Sequence, residues 1–380
     1  MALTVAAVLG TGGWPAGSGQ WIAPDTPPGI ESWQAERARG ERLDGRPTGP
    51  LLPDPRTASP ADLARFFGAI GDDRLRALLD RHPLTVGNLD GAPVPVRYAA
   101  NRRALAAERD RQLDRAADTA LPERDRRRAR ELAGRYGELL RPGRQILAFD
   151  PRGRGQVAEV YGDLTTAEHT AVVVPGSDID LMNFDRARDP YGTPSGMAGS
   201  LRAELAAASP GARTAVVAWA GYTTPVGIGP DAATARMAEA GAKRLTRFLA
   251  GLTAAGVPAP TVLCHSYGSV VCGLASPRTP AGSIASLVLA GSPGTRADTS
   301  RDLRTTADVW AARADDDWIG YVSGIAFLGL GHGTDPADPA FGARRVPTER
   351  VTGHTGYFAP GTDALRAFAD ITLGRLPGPR

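Results

Sequence analysis

Thr261-Val262-Leu263-Cys264-His265-Ser266-Tyr267-Gly268-Ser269-Val270-Val271-Cys272 reads as a buried strand, a sharp turn and a packed helix. An apolar, partly β-branched run enters a turn of small residues and leaves as Gly, Ser, Val and Ala, with Ser266 at the tip. In a nucleophile elbow, such a strained turn lifts the serine hydroxyl above the sheet. It also points the next backbone N–H, here that of Tyr267, toward an oxyanion. Small residues flank the serine because strand and helix backbones pass close together. The usual spacing is G-x-S-x-G, and Cys264 stands at its first position; cysteine is small enough to be accommodated there.

The rest of the chain supplies the support that such a turn needs. At 380 residues it can bury a large core, and 42% apolar with 22% charged residues is the balance of a globular protein. Lys243 is the only lysine. A formal charge of +3, with Arg interleaved with Asp and Glu, is too mild to argue for nucleic acid. The apolar start Ala2–Leu9 lacks a basic leader and is too short to span a bilayer, so no membrane span is expected and the cytoplasm is favoured over secretion. The two cysteines, Cys264 and Cys272, sit on the strand and helix of the elbow; a bridge would distort the turn, so both are expected as buried free thiols.

Residues 11–60, rich in Gly, Pro and Asp, are expected as an irregular arm. Ser59-Pro60-Ala61-Asp62 opens a helix to about Asp80 with Leu63, Phe66, Phe67, Ile70, Leu75, Leu78 and Leu79 on one face. Ala99 to about Leu140 reads as a charged helical region broken at Leu121-Pro122. Its run Arg124–Arg128 is a solvated face. Residues 1–140 are thus an arm and helical extension, and residues 141–380 a catalytic domain. In the latter, short apolar runs follow at Gln145–Phe149, Val157–Tyr161, Ala171–Val174, Ala215–Trp219, Val262–Cys264, Leu287–Ala290 and Val309–Ala312. The first two are close enough for a hairpin, and the later ones alternate with helical segments such as Ala232–Ala255 and Gly268–Ala275. This pattern predicts an α/β fold with a mostly parallel central sheet flanked by helices, and ligands at the carboxyl ends of the strands.

A serine nucleophile needs a base, an orienting acid and an oxyanion hole. His82 and His169 precede the elbow and His265 is inside it. His354, in Gly353-His354-Thr355-Gly356 before a C-terminal helix Thr362–Leu373, is favoured over His332 as base. The acid is expected among Asp315, Asp316 and Asp317, after the run Val309–Arg313; Asp317, followed by Trp318-Ile319, is preferred. Val172-Val173-Val174-Pro175-Gly176-Ser177 ends another strand in a tight loop that can supply a second oxyanion donor, the N–H of Ser177.

These segments resemble the actinobacterial α/β-hydrolases grouped as DUF1023. The resemblance runs from about residue 84 to 375 and rests on Gly87-Asn88-Leu89-Asp90-Gly91-Ala92-Pro93 with Arg97, Val174-Pro175-Gly176, Ala218-Trp219-Ala220-Gly221-Tyr222, His265-Ser266-Tyr267-Gly268-Ser269, Gly291-Ser292-Pro293-Gly294, His332-Gly333-Thr334-Asp335-Pro336 and Gly353-His354-Thr355-Gly356-Tyr357-Phe358. It implies an α/β-hydrolase fold with Ser266, His354 and one aspartate of the 315–317 cluster as triad. The chain departs from the family at Cys264, where the family has glycine, and at Trp318, where it tends to have proline.

The chemistry expected is acyl transfer to water, with an esterase or lipase-like serine hydrolase acting on a small-molecule ester or lactone. An acyltransferase or thioesterase of natural-product metabolism is the alternative enzyme, and a binding protein that keeps the fold without turnover is the alternative outside enzymes. No metal cluster, dinucleotide fingerprint or P-loop stands out, so no cofactor is implied. Trp219, Tyr222 and Trp318, with Trp14, Trp21 and Trp33 of the arm, are candidates for an apolar substrate surface. Oligomeric state is left open.

Overall fold

The computed structural model describes residues 20–42, 50–227, 229–321, 326–327 and 330–375; the apolar start Ala2–Leu9 and Trp14 lie outside them. The N-terminal part carries α1 (Ile30–Arg42), α2 (Pro60–Ala69), α3 (Asp72–Arg81), α4 (Pro83–Gly87), α5 (Val94–Ala117) and α6 (Glu123–Leu139). Then come β1 (Gln145–Asp150), β2 (Gln156–Gly162), β3 (His169–Val174), α7 (Pro194–Ala208), β4 (Thr214–Ala220), α8 (Pro230–Ala233) and α9 (Arg236–Ala254). The elbow is β5 (Thr261–His265) and α10 (Gly268–Ala275), followed by β6 (Ser286–Ala290) and β7 (Asp308–Ala312). Two-residue strands β8 (Ala326–Phe327), β9 (Leu330–Gly331) and β10 (Arg344–Arg345) precede α11 (Asp363–Thr372).

The main sheet has the order β1-β2-β4-β3-β5-β6-β7-β10. β1, β2 and β4 pair antiparallel, and every later pair in the sheet is parallel. All seven apolar runs of the sequence are strands, and the first two form the expected hairpin. Strands β3 to β6 are buried at nearly every position because helices cover both faces. On one face Met197 and Leu201 of α7, Phe368 of α11, and Leu105 and Tyr136 of α5 and α6 form one apolar cluster with Phe149, Ala171, Val173 and Val288 of the sheet. On the other, Leu245 and Phe248 of α9 and Val270 and Val271 of α10 pack on Val172, Val217 and Val262. After β3 the chain runs outward to β4 and then returns to the opposite side of β3 as β5. The strand order therefore reverses between β3 and β5, and a crevice opens at their carboxyl ends.

The expected helix from residue 60 to 80 is two helices. Ser59 caps α2 in a reciprocal capping box with Asp62, but Ile70 is extended and Gly71 starts α3 afresh. The irregular arm expected over residues 11–60 contains α1, held by the fully buried Trp33, whose indole N–H donates to the Pro53 carbonyl at 2.8 Å. Trp33, Leu63, Phe66, Phe67, Leu78 and Val86 make a third apolar cluster. The buried Asn101 amide joins this layer to the sheet by donating to Gly87 O and to Ile146 O at 3.1 and 3.2 Å. Among the described residues no helix is long and apolar enough to cross a membrane.

Candidate active site

The elbow forms because the chain must reverse direction between β5 and α10 while both stay in the core. Ser266 at its tip has φ +55°, a left-handed conformation that a serine adopts only when its surroundings impose it. Here its N–H donates to Ala290 O of β6 at 3.0 Å and its carbonyl accepts from Ser269 N at 2.9 Å. The neighbouring strand end leaves little room. A Cβ on Gly268 would stand 2.5 Å from Val174 O, and one on Gly176 would stand 2.6 Å from the Ser266 Cβ. Glycine at these two positions lets α10 and the loop after β3 close on the serine.

That loop brings Ser177 to the same crevice. The N–H groups of Tyr267 and Ser177 donate to no acceptor among the described residues. Tyr222 holds the loop from beneath, its hydroxyl donating to Pro175 O at 2.7 Å.

From β7 the chain passes through Asp315, Asp316 and Asp317 to Trp318, and His354 descends from the far loop onto the serine. Ser266 Oγ and His354 Nε2 are 2.8 Å apart; His354 Nδ1 lies 2.9 and 3.1 Å from the two Asp317 oxygens. An ionised carboxylate can only accept, so Nδ1 carries the proton and Nε2 is free to accept from the serine hydroxyl. Asp317 also receives the Tyr357 hydroxyl at 2.6 Å and the Ile319 N–H at 2.9 Å. Burial pushes its carboxyl up, but the hydrogen bonds from His354, Tyr357 and Ile319 outweigh it and hold Asp317 below the usual carboxylate range.

The other members of the acidic cluster have different places. Asp316 Oδ1 accepts the Gly353 N–H at 2.9 Å and so anchors the histidine loop, while Asp315 is exposed. His332 is wired elsewhere: its Nε2 donates to Ala232 O at 2.7 Å, and its Nδ1 faces Arg296 Nε at 3.3 Å. Its ring meets Tyr267 edge-on at 5.5 Å between centroids, away from the serine oxygen.

Two contributors escaped the sequence reading. His265 is buried beside His354, rings 4.8 Å apart, and donates from Nε2 to the His354 carbonyl at 2.7 Å. Burial, with the charge of His354 adding to it, lowers its pKa to about 3, so it stays neutral. Tyr357, whose hydroxyl also accepts from Ala314 N at 3.0 Å, links the acid to the end of β7. A hint for Tyr357 was its place in the C-terminal histidine segment; His265 carried no signal apart from adjacency to the serine.

Three expectations need correction. Cys264 and Cys272 are not free thiols but form a disulfide. After the turn, α10 runs back along β5 on the face to which Cys264 points, so its second turn sets Cys272 Cα 6.5 Å from Cys264 Cα and the bridge spans the elbow without displacing it. Trp219 and Tyr222 are core residues and not an open surface: both are 2% exposed and stack on each other at 6.0 Å, with Trp219 bordering a cavity at the sheet edge. Trp33 is likewise core, and Trp21 lies over Gly153 in the β1–β2 turn. Trp318 does stand at the site, its ring 4.8 Å from that of His354 and 41% exposed. Among the described residues no group of three or more His, Cys, Asp or Glu is placed to hold a metal ion.

A family model described as Alpha/beta hydrolase matches residues 150–327. An uncharacterized protein of Mycobacterium tuberculosis is 30% identical over 87% of the chain, which spans 58% of that relative's length. Among solved structures, an α/β serine hydrolase without lid from Xanthomonas campestris has 16% identity, a TM-score of 0.35, and 63% of this chain and 98% of that one covered. A 2,6-dihydroxy-pseudo-oxynicotine hydrolase has 12% identity, a TM-score of 0.37, and coverage of 85% and 92%. With the strand order, the reversal between β3 and β5 and the family match in agreement, the chain has the α/β-hydrolase fold.

Proposed function

We propose that the protein is a serine hydrolase that cleaves an ester-like bond, a carboxylester or lactone, of a hydrophobic small molecule through an acyl-enzyme. The observation that carries this reading is the unbroken chain from Asp317 through His354 to Ser266 Oγ, with hydrogen-bond distances at each link. In the reaction His354 Nε2 takes the Ser266 proton as Oγ attacks the carbonyl, then returns it to the leaving alcohol; water repeats the sequence to release the acid. The N–H groups of Tyr267 and Ser177 face the oxyanion, and losing one such donor costs about 3 kcal/mol of barrier. Asp317 stays ionised and keeps the imidazole in the productive tautomer.

The half-exposed Trp318 against His354, with Tyr321 88% exposed three residues on, favours an apolar or aromatic substrate over a charged one. We further assign the chain to the DUF1023 type on the motifs quoted above, with residues 1–140 as arm and extension and 141–380 as the catalytic unit. The buried bridge favours the secreted alternative over the cytoplasm, because structural disulfides persist in oxidising compartments. A fluorophosphonate probe should label Ser266 in wild-type protein and fail on His354→Ala. An ester screen across acyl length and leaving group should favour apolar acyl groups. Absence of labelling sinks the serine mechanism, and preference for charged esters sinks the substrate class.

A further inference from the structure

A second cavity, of about 210 Å³, lies between α9, the sheet edge formed by the end of β1, the start of β2 and the end of β4, and the arm at Asp25–Pro28. It shares no lining residue with the Ser266 site. The nearest of its strands, β4, is separated from β5 by β3, which places it roughly 10 Å along the sheet from the serine. We propose that this cavity binds a small organic anion: a carboxylate or phosphate head on a compact apolar body.

The charge around the cavity is unbalanced. Of its three carboxylates, Asp90 is engaged by Arg97 at 3.1 Å, and Asp150 by Arg152 at 2.9 and 2.7 Å with Arg244 at 3.5 Å. The half-exposed Asp25 stands 4.0 Å from Arg244. Two lining cations on α9 have no carboxylate at all. Lys243 makes no ion pair or hydrogen bond among the described residues, and Arg247 uses only Nη2, on the carbonyls of Pro55 at 3.3 Å and Ala58 at 2.9 Å. Lys243, which is exposed, and Arg247 are one helical turn apart and so project from one side of α9, where an anion at the cavity mouth would meet both charges. Arg244, between them in sequence, has a buried Nε that makes no hydrogen bond, with the Asp25 carboxylate 4.0 Å away.

The remaining walls select the body of the ligand. Phe248, Val157 and Ala148 give an apolar floor, and Pro27 and Pro28 of the arm an apolar roof. A dry cavity of about 150 Å³ is enough for benzene. This one takes a single ring with its charged group turned to α9.

Lys243, the only lysine, is a built-in reporter. Modification of its amine by trinitrobenzenesulfonate, followed by peptide mass mapping to separate it from the N-terminal amine, measures access to the cavity. Saturating phenyl phosphate should slow modification roughly tenfold, the protection of a site about nine-tenths occupied. Benzyl alcohol at the same concentration, and sodium chloride at the same ionic strength, should not. Arg247→Met should abolish the protection, and phenyl phosphate should raise the melting temperature of wild type but not of Lys243→Gln. No protection, equal protection by benzyl alcohol or salt, protection that survives Arg247→Met, or an equal thermal shift in Lys243→Gln would each overturn the proposal.

Discussion

The segments around His332 and His354 look alike in sequence: each places a histidine after glycine in a loop beyond the elbow, and each histidine ends beside an elbow residue. Their environments differ in one respect that decides their chemistry. His354 has an anion on Nδ1 and a hydroxyl on Nε2, so it can gain a proton at the serine and be stabilised when it does. His332 has a carbonyl on Nε2 and an arginine on Nδ1. Burial, reinforced by the Arg296 charge against the pull of the Ala232 carbonyl, keeps its pKa below the ordinary histidine value. A ring in that setting is a strut. What makes a base is its pair of partners, and loop position alone does not supply them.

The largest expected effects break this comparison outright. Ser266→Ala and His354→Ala should each lose at least about 10³-fold in kcat on an activated ester, and Asp317→Asn up to about 10⁴-fold, with the fold intact by circular dichroism. His332→Ala should stay within about tenfold, paying mainly in stability for the orphaned Ala232 carbonyl. If His332→Ala is the dead variant, the assignment of the two loops is reversed.

The bridge comes next. Closing the short loop from Cys264 to Cys272 contributes about 2.5 kcal/mol by restricting the unfolded chain. Titration of unfolded, unreduced protein should find no thiol and, after reduction, two. Two thiols without reductant would contradict the bridge.

A smaller effect sharpens the acid. Tyr357→Phe removes a charge-assisted bond to Asp317, and about 1.5 kcal/mol lost in the transition state would appear as roughly a tenfold drop in kcat with KM unchanged. Asp316→Asn keeps an oxygen for Gly353 N–H and should cost little, and Asp315→Asn nothing measurable. A kcat for Asp316→Asn as low as that of Asp317→Asn would show that the wrong carboxylate has been chosen.

The subtlest test concerns the strut beneath His354. His265 binds a proton in the unfolded chain near pH 6.5 but in the folded protein only near pH 3, so between these values the unfolded state holds more protons. Stability is therefore full above pH 6.5 and falls on acidification, by up to about 1.4 kcal/mol per pH unit. His265→Gln, which keeps a donor for the His354 carbonyl but does not titrate, should flatten that slope in urea denaturation measured from pH 7 to 4. An unchanged slope would assign the acid sensitivity to other groups.

The strands, the hairpin, the elbow and the C-terminal helix were readable because each is set by a local pattern: apolar runs of strand length, turn residues, a cap. Within that frame Ser266 stood out from the strand-turn-helix, and chain order narrowed the acid to Asp315, Asp316 or Asp317 and the base to His332 or His354, with Asp317 and His354 preferred. The break at Ile70–Gly71 was less visible, since a continuous apolar face runs through it, and α1 depended on a single buried tryptophan.

By itself the sequence determined the order of elements, and with it the position of a serine at the carboxyl end of a central strand. Only the tertiary structure decided which of three adjacent aspartates turns inward, which of two histidines meets the serine, that two cysteines eight residues apart share a bond, and that Trp219 and Tyr222 support the loop after β3 from the core. Adjacent residues at a strand end differ in direction through backbone rotations that no local pattern encodes. Contacts such as Ser266 with His354, 88 residues apart, exist only once sheet and loops are packed together.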